Sequence, residues 1–162
     1  MPFQTRLNRT LPVGIEGTFA STNPYHSLLN AAEGQYKADP TGVIAGRFAW
    51  VDPVSGLATN VKGSLTLGGI VLRENTATVL APTQEYSMTI RGGFEVNLYD
   101  GGDFWARFAG GATIGQNVFA KDADGTFVAA AGNTLADHTL TPFKVASTAA
   151  AGELAKITGW IN

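Results

Sequence analysis

Short apolar runs separated by turn residues recur along the chain, and this spacing constrains the fold more than any other feature. From Thr41 onward a new run begins about every ten residues, with Gly, Pro, Asn or Asp between the runs. Such spacing is typical of an antiparallel β-sandwich or barrel, in which each run is one short strand. We therefore predict an all-β protein with a jelly-roll or barrel-like antiparallel β-sandwich. The predicted strands are 42–51, 61–67, 69–73, 77–81, 86–91, 94–99, 103–109, 117–120, 126–130, 143–147 and 156–161.

The composition limits the classes of function that the chain can have. Its 162 residues are enough for one domain with a sizeable core. The formal net charge is −2 and there is no run of Lys and Arg, so we expect no direct binding to nucleic acid. The chain has no cysteine, which excludes disulfides, thiolate zinc sites and a cysteine nucleophile. Only 15% of the residues are charged, which favours a surface that a partner partly covers.

Helix signals are confined to two short segments. Residues 21–33 have a possible cap followed by Pro24, and the alanine-rich stretch 147–156 has helical propensity that Gly152 weakens. No apolar run reaches the roughly 18 residues of a membrane helix, and the N-terminus lacks the apolar stretch of a signal peptide. We therefore expect no membrane association and no secretion.

The N-terminal residues differ from the rest of the chain. Residues 1–20 show neither a clear helical period nor a long alternation, and Pro2 and Pro12 favour an extended backbone. We predict an extended N-terminal arm at 1–20, followed by a single β-rich domain at 21–162. The candidate contact residues of the arm are Phe3, Arg6, Leu7, Arg9 and Leu11.

The segment FEVNLYDGGDFWARFA (94–109) predicts a β-hairpin that turns at Gly101-Gly102. In this register the side chains of Phe94, Val96, Leu98 and Trp105 share one face, and those of Tyr99, Phe104 and Phe108 share the other. Because both faces are apolar, we expect the core to cover one face and a second sheet, a neighbouring subunit or a ligand to cover the other. The candidate core or oligomer-interface residues are Trp50, Phe94, Tyr99, Phe104, Trp105 and Phe108.

A second hairpin is predicted in NVFAKDADGTFVA (117–129), with a turn at Asp122–Gly125. KDADGT resembles the start of a calcium-binding loop because acidic residues alternate in it. Gly125 follows Asp124 directly, however, and the later acidic ligands of such a loop are missing. We therefore predict that Asp122 and Asp124 stabilise a turn and do not bind calcium.

The sequence lacks the motifs of the common catalytic sites. His26 and His138 are the only histidines, which is too few for the metal site of a cupin-like enzyme. GGATIGQN lacks the Lys-Ser/Thr of a phosphate-binding loop, and no GxSxG motif occurs. We predict no enzymatic activity, no cofactor and no metal. A carbohydrate-binding β-sandwich remains an alternative, because Trp105, Trp50 and Tyr99 could stack on a sugar ring.

Several stretches from Val13 onward resemble the structural cement proteins, also called head decoration proteins, of tailed bacteriophages. They are GIEGTFASTNP (14–24), GRFAWVD (46–52), YSMTIRGGFEVNLYDGGDFWARF (86–108) and ATIGQNVFAKDADGTFVAAAG (112–132). The resemblance implies a β-rich domain on the outer surface of an icosahedral capsid, where it bridges neighbouring major capsid subunits and stabilises the shell against packaged DNA. It also implies a homo-oligomer, for which we favour a trimer over a dimer, and assembly in the cytoplasm of the bacterial host. The family has no catalytic residues to transfer to this sequence.

Overall fold

The computed structural model describes residues 14–30, 34–74 and 87–160, and the chain forms strands and no helix within these ranges. This confirms the all-β prediction. Among these residues, no helix is long and apolar enough to cross a membrane. The strands are β1 (His26–Ser27), β2 (Lys37–Ala38), β3 (Val43–Ile44), β4 (Phe48–Asp52), β5 (Leu57–Thr59), β6 (Leu67–Val71), β7 (Thr89–Ile90), β8 (Leu98–Gly101), β9 (Asp103–Arg107), β10 (Asn117–Lys121), β11 (Phe127–Ala130), β12 (His138–Val145) and β13 (Leu154–Thr158).

The strands form two main sheets and one short ribbon. One sheet has six strands in the order β1-β8-β6-β4-β5-β2, and the other has five in the order β11-β10-β12-β13-β9. Strands β3 and β7 form the ribbon. All pairs are antiparallel except β2 with β5. A bridge between Phe108 and Phe127 brings the two outer ends of the five-stranded sheet together, so this sheet is curled and barrel-like.

Two apolar cores lie on opposite faces of the six-stranded sheet. The larger core is between the two main sheets, and Phe48, Trp50 and Ile70 enter it from the six-stranded side. The smaller core packs Ala49 and Val51, on the other face of β4, with residues of the β3–β7 ribbon. Strand β4 is therefore buried on both faces, which explains why its sequence is a continuous apolar run rather than an alternation.

Both segments with helix signals lack a helix where the structure describes them. His26 and Ser27 pair with β8 instead. In 147–156, Ala149 forms a bridge with Ala112, and Gly152 turns the chain with φ +81° before β13 begins. Pairing with neighbouring strands thus overrides the local helix propensity.

Several predicted strands are shorter than expected or divided, and one lies outside the described residues. The run 42–51 forms two strands, β3 and β4, which lie in different sheets, and the run 86–91 pairs only at Thr89–Ile90. The run 61–67 contributes only Leu67 to β6, because a turn with Gly63 at φ +51° interrupts it. The run 94–99 begins to pair as a strand only at Leu98. Residues 77–81 lie outside the part of the chain that the structure describes.

The predicted hairpin at 94–109 is wrong. Strands β8 and β9 follow each other in sequence but lie in different sheets. Tyr99 pairs with Ile70 of β6, whereas Phe104 pairs with Ile157 of β13. The chain passes from one sheet to the other at Gly102, whose φ of +128° favours glycine. The rings of Tyr99 and Phe104 still meet at 5.7 Å, but they do so between the sheets and not across a strand ladder.

The second predicted hairpin is confirmed. Strands β10 and β11 are antiparallel, and Ala120 pairs with Phe127 at the end of the ladder next to the turn. Gly125 has φ +69° in this turn, and its amide donates to the carbonyl of Lys121.

Candidate functional site

The arm candidates cannot be compared with the structure. Phe3, Arg6, Leu7, Arg9 and Leu11 lie outside the described residues. The rest of the predicted arm, from residue 14 to residue 20, lies against the β domain. The division of the chain at residue 20 stays a prediction.

Residues 14–27 run along one side of the molecule and connect the two sheets; we call this segment the strap. Its first part lies along β9, where the Gly17 amide donates to the Trp105 carbonyl at 2.8 Å and the Trp105 amide donates to the Thr18 carbonyl at 2.9 Å. Its last part is strand β1, which pairs with β8. The strap therefore covers the β9 edge of one sheet and the β8 edge of the other, and such edges would otherwise expose unpaired backbone groups.

Aromatic rings fill the seam under the strap. Phe19 of the strap lies 4.6 Å from Tyr25, 5.4 Å from Tyr99 and 5.1 Å from Phe104, measured between ring centroids. Tyr99 is half-buried and Phe104 is fully buried. The aromatic side chains of 94–108 thus pack largely inside the protein, where they hold the strap and the two sheets together.

The six candidate core or interface residues divide into three groups. Trp50, Phe104 and Phe108 have no exposed surface and belong to the larger core. Tyr99 packs at the margin of that core. Phe94, which is 47% exposed, has the most surface that a partner could contact, and Trp105 and Tyr99 are each half-buried. The complete burial of Trp50 also removes it from the proposed sugar-stacking residues.

A cleft with a tryptophan at its side lies on the outer face of the five-stranded sheet, next to the strap. Its volume is about 390 Å³. Trp160 is 49% exposed, and its indole nitrogen donates to the Pro24 carbonyl at 3.2 Å. Lys156 connects the cleft with Trp105, because its ammonium nitrogen lies 5.3 Å from the centre of the Trp105 ring. The lining residues are Ala20, Ser21, Asn23, Asp103, Ala146, Lys156, Ile157, Thr158 and Trp160.

Asp103 fixes the strap at this cleft. Its Oδ2 atom accepts hydrogen bonds from the Ser21 hydroxyl and from the Asn23 amide, each at 2.6 Å. Burial raises the pKa of the Asp103 carboxyl, but the hydrogen bonds from Ser21, Thr158 and Asn23 and the charge of Lys156 outweigh it. The pKa is therefore lowered from its ordinary value, and the carboxylate is ionised at neutral pH.

The two histidines lie apart and neither belongs to a metal cluster of the described residues. His26 Nδ1 is 2.5 Å from Asp100 Oδ1, whereas His138 Nδ1 is 2.6 Å from the Ala136 carbonyl oxygen. Within the described ranges there is no group of three or more His, Cys, Asp or Glu side chains that could hold a metal ion.

The acidic residues of the predicted calcium-like loop are engaged in the turn. Asp124 Oδ1 accepts from both the amide and the hydroxyl of Thr126, at 3.1 and 2.6 Å. Asp122 Oδ1 accepts from the Thr139 hydroxyl at 2.6 Å, and its Oδ2 lies 3.4 Å from the Lys62 ammonium nitrogen. These contacts hold the β10–β11 turn, as the sequence predicted.

Comparison with known proteins assigns this fold. The family model described as "XM1 gp53 minor capsid protein" matches residues 3–159, which is nearly the whole chain. The chain belongs to this family. A solved chain from "The capsid of Myoviridae Phage XM1" has a similar fold, with a TM-score of 0.66 at 15% sequence identity over 98% of each chain. No curated protein matches the sequence.

This minor capsid protein is a bacteriophage structural protein and a component of the virion. The resemblance to phage capsid proteins that the sequence motifs suggested is thereby confirmed.

Sequence reasoning missed Ser21, Asn23, Lys156 and Trp160 as parts of one site. Only the aromatic and polar character of STNPY and of the C-terminal GW could have drawn attention to them, because Ser21 and Asp103 are 82 residues apart in sequence.

Proposed function

We propose that this minor capsid protein acts as a cement protein that binds the outer surface of the phage head. There it bridges neighbouring major capsid subunits and stabilises the shell against the pressure of packaged DNA. Assembly on the head takes place in the cytoplasm of the bacterial host. The observation that carries this proposal is the strap, which ties the start of the described chain to both sheets of the β domain.

The strap gives the preceding residues a fixed point from which to reach a neighbour. Residues 1–12 could span up to about 40 Å when extended. Pro2 and Pro12 restrict the backbone of the free chain, so less entropy is lost when this segment binds. Phe3, Leu7 and Leu11 would bury apolar surface on the capsid, and Arg6 and Arg9 would pair with acidic groups there.

Oligomerisation would strengthen the attachment of each copy. A homo-oligomer that contacts several capsid subunits at once raises the overall affinity by roughly 10²–10⁴ without any new contact. We favour a trimer over a dimer, because quasi-threefold junctions offer three equivalent capsid patches. Phe94 has exposed surface for contacts between copies, whereas Trp50, Phe104 and Phe108 are buried in the core.

The proposal is tested with phage heads that lack this protein. We expect the purified protein to co-sediment with such heads and to be visible by electron cryomicroscopy on their outer surface, between major capsid subunits. Heads that carry it should release DNA at a higher temperature than heads without it. Density on the inner surface, or no change in the temperature of DNA release, would contradict the cement role. Sedimentation of the isolated protein as a monomer would contradict the oligomer.

A further inference from the structure

We propose that the outer face of the five-stranded sheet around Trp105 and Trp160 is the surface that docks on the capsid, and that its partner is an acidic protein surface. We call it the tryptophan face and define it by Trp105, Lys144, Lys156 and Trp160. The inference rests on the proposed cement function, because it names the side of the domain that performs the docking.

The charge of this face is the first argument. Phe143, Val145, Ala155 and Ile157 point into the larger core, so Lys144 and Lys156 between them point outward. Neither lysine has a carboxylate within 4 Å in the described part of the chain, whereas Arg107 on the same face is bound to Glu16 at 2.8 Å. The charge of Lys156 acts on the ionised Asp103 carboxylate at the edge of the same face. Lys144 adds a second positive charge on the adjacent strand, and an acidic partner would complement both lysines.

The aromatic side chains next to the lysines are the second argument. Trp160 exposes 49% of its surface, and the half-buried Trp105 carries Lys156 over its ring. Tryptophan is enriched among the residues that contribute most to binding at protein interfaces. The cleft between Lys156 and Trp160 is open enough to receive a side chain of the partner.

The position of the strap is the third argument. Gly14 lies directly on the Trp105 indole, so closely that a side chain at position 14 would overlap the ring. The chain that precedes residue 14 therefore joins the described residues next to Trp105. A partner surface that binds residues 1–12 would therefore start next to Trp105. Arg6 and Arg9 carry charge of the same sign as Lys144 and Lys156. The tether and the tryptophan face would thus contact the same acidic partner.

The test compares two double variants with the same change in charge. The first variant, Lys144→Glu with Lys156→Glu, reverses the charge of the tryptophan face. The second, Lys37→Glu with Arg91→Glu, reverses the charge at two exposed positions elsewhere. Binding to heads that lack the protein is measured by co-sedimentation at several salt concentrations. We expect binding at least about tenfold weaker for the first variant and a shallower dependence on salt, because like charges would then face each other. The second variant should bind as the wild type does.

A second measurement uses the wild-type protein, so its result does not depend on whether the variants fold. Lysine acetylation followed by mass spectrometry should show Lys144 and Lys156 protected on the heads and Lys37 still reactive. Equal reactivity in the bound and free states would overturn the inference, as would equal head binding of the two double variants. A wild type that binds no heads would instead refute the cement function. A gel-shift assay tests nucleic acid as the alternative partner. If the wild type retains DNA, and the variant with Lys144→Glu and Lys156→Glu loses this retention but still binds heads, the face binds nucleic acid and the inference is overturned.

Discussion

At the scale of single residues, Trp50 and Phe104 show how completely the larger core is packed. Both side chains have no exposed surface. Trp50 packs edge-on against Phe48, with 5.2 Å between ring centroids, and Phe104 packs in the same way against Phe143, at 5.8 Å. The two residues enter the core from different sheets, so each one helps to hold the sandwich together.

Truncation of either ring should therefore be costly. We expect Trp50→Ala and Phe104→Ala to lower the free energy of unfolding by about 3–5 kcal/mol each, through lost burial and a cavity. Trp50→Phe should cost less than Trp50→Ala, because it keeps an aromatic ring in the core; both variants remove Nε1, a buried donor that has no partner among the described residues. Val54→Ala, at an 88% exposed position, is the control and should change stability by less than about 0.5 kcal/mol. Urea unfolding measures all four variants, and a wild-type midpoint for Trp50→Ala would contradict the core assignment.

We expect the attachment of the strap at Asp103 to depend on pH. Its pKa is lower in the folded protein than in the unfolded chain, where it is about 3.9. The stabilisation is therefore fully present above the unfolded pKa and is lost as the pH falls through the folded pKa. We expect Asp103→Asn to destabilise the protein at pH 7 and the difference from wild type to shrink in acid. Unfolding measured between pH 2 and pH 7 tests this; Glu95→Gln, at an exposed carboxyl, is the control. A difference that does not change with pH would contradict the role of the ionised carboxylate.

At the scale of elements, the β10–β11 turn is held by contacts to the other sheet. The carbonyl of Gly125 accepts from the Phe48 amide of β4 at 2.9 Å. A methyl group at position 125 would overlap the Phe48 carbonyl oxygen, whereas the space around Gly115, at a similar φ, is open. Glycine is needed at 125 for its conformation and also for the close approach of two sheets.

Two substitutions separate these effects. Gly115→Ala should cost about 1 kcal/mol of stability, from the backbone conformation alone. Gly125→Ala carries the same strain plus the overlap with Phe48, so we expect a further 1–3 kcal/mol or so. Thermal and urea unfolding of both variants check this. Equal costs would mean that the Phe48 carbonyl moves aside easily.

The acidic residues of the same turn should not bind calcium, because Asp122 and Asp124 already accept hydrogen bonds from Thr139 and Thr126. We expect the melting temperature to be the same with EDTA and with millimolar calcium. A double variant, Asp122→Asn with Asp124→Asn, should lower the melting temperature equally in both conditions. A drop of several degrees with EDTA for the wild type would reverse the conclusion.

At the scale of the whole molecule, two truncations distinguish the N-terminal residues that bind from those that support the domain. Deletion of 1–12 should leave the β domain folded and weaken co-sedimentation with phage heads. Deletion of 1–20 also removes Phe19 and the strap hydrogen bonds to β9, so we expect it to destabilise the domain itself. The melting curve and head binding of each truncation are the measurements. If the protein without residues 1–12 binds phage heads as fully and as resistantly to salt as the wild type, the role of the arm is contradicted. If this protein does not fold, the arm is part of the domain.

The fold class, the β10–β11 hairpin and the resemblance to a phage capsid family could be predicted from the amino-acid sequence. These depend on local information: the spacing of apolar runs, the Asp-Gly turn and short motifs that keep their order. It also identified Trp50, Phe104 and Phe108 as core candidates, because large apolar side chains in strands are usually buried.

The distribution of consecutive strands between the two sheets could not be predicted from the sequence and became visible only in the folded chain. A hairpin and a crossing between sheets have the same local pattern at 94–109, since both need a glycine turn and apolar residues on both sides. The choice depends on which distant strands offer backbone partners, here β6 for Tyr99 and β13 for Phe104. The same holds for the strap and the tryptophan face, where Asp103 meets Ser21 across 82 residues of sequence. No local propensity encodes such a contact, because it arises only when the whole chain has packed.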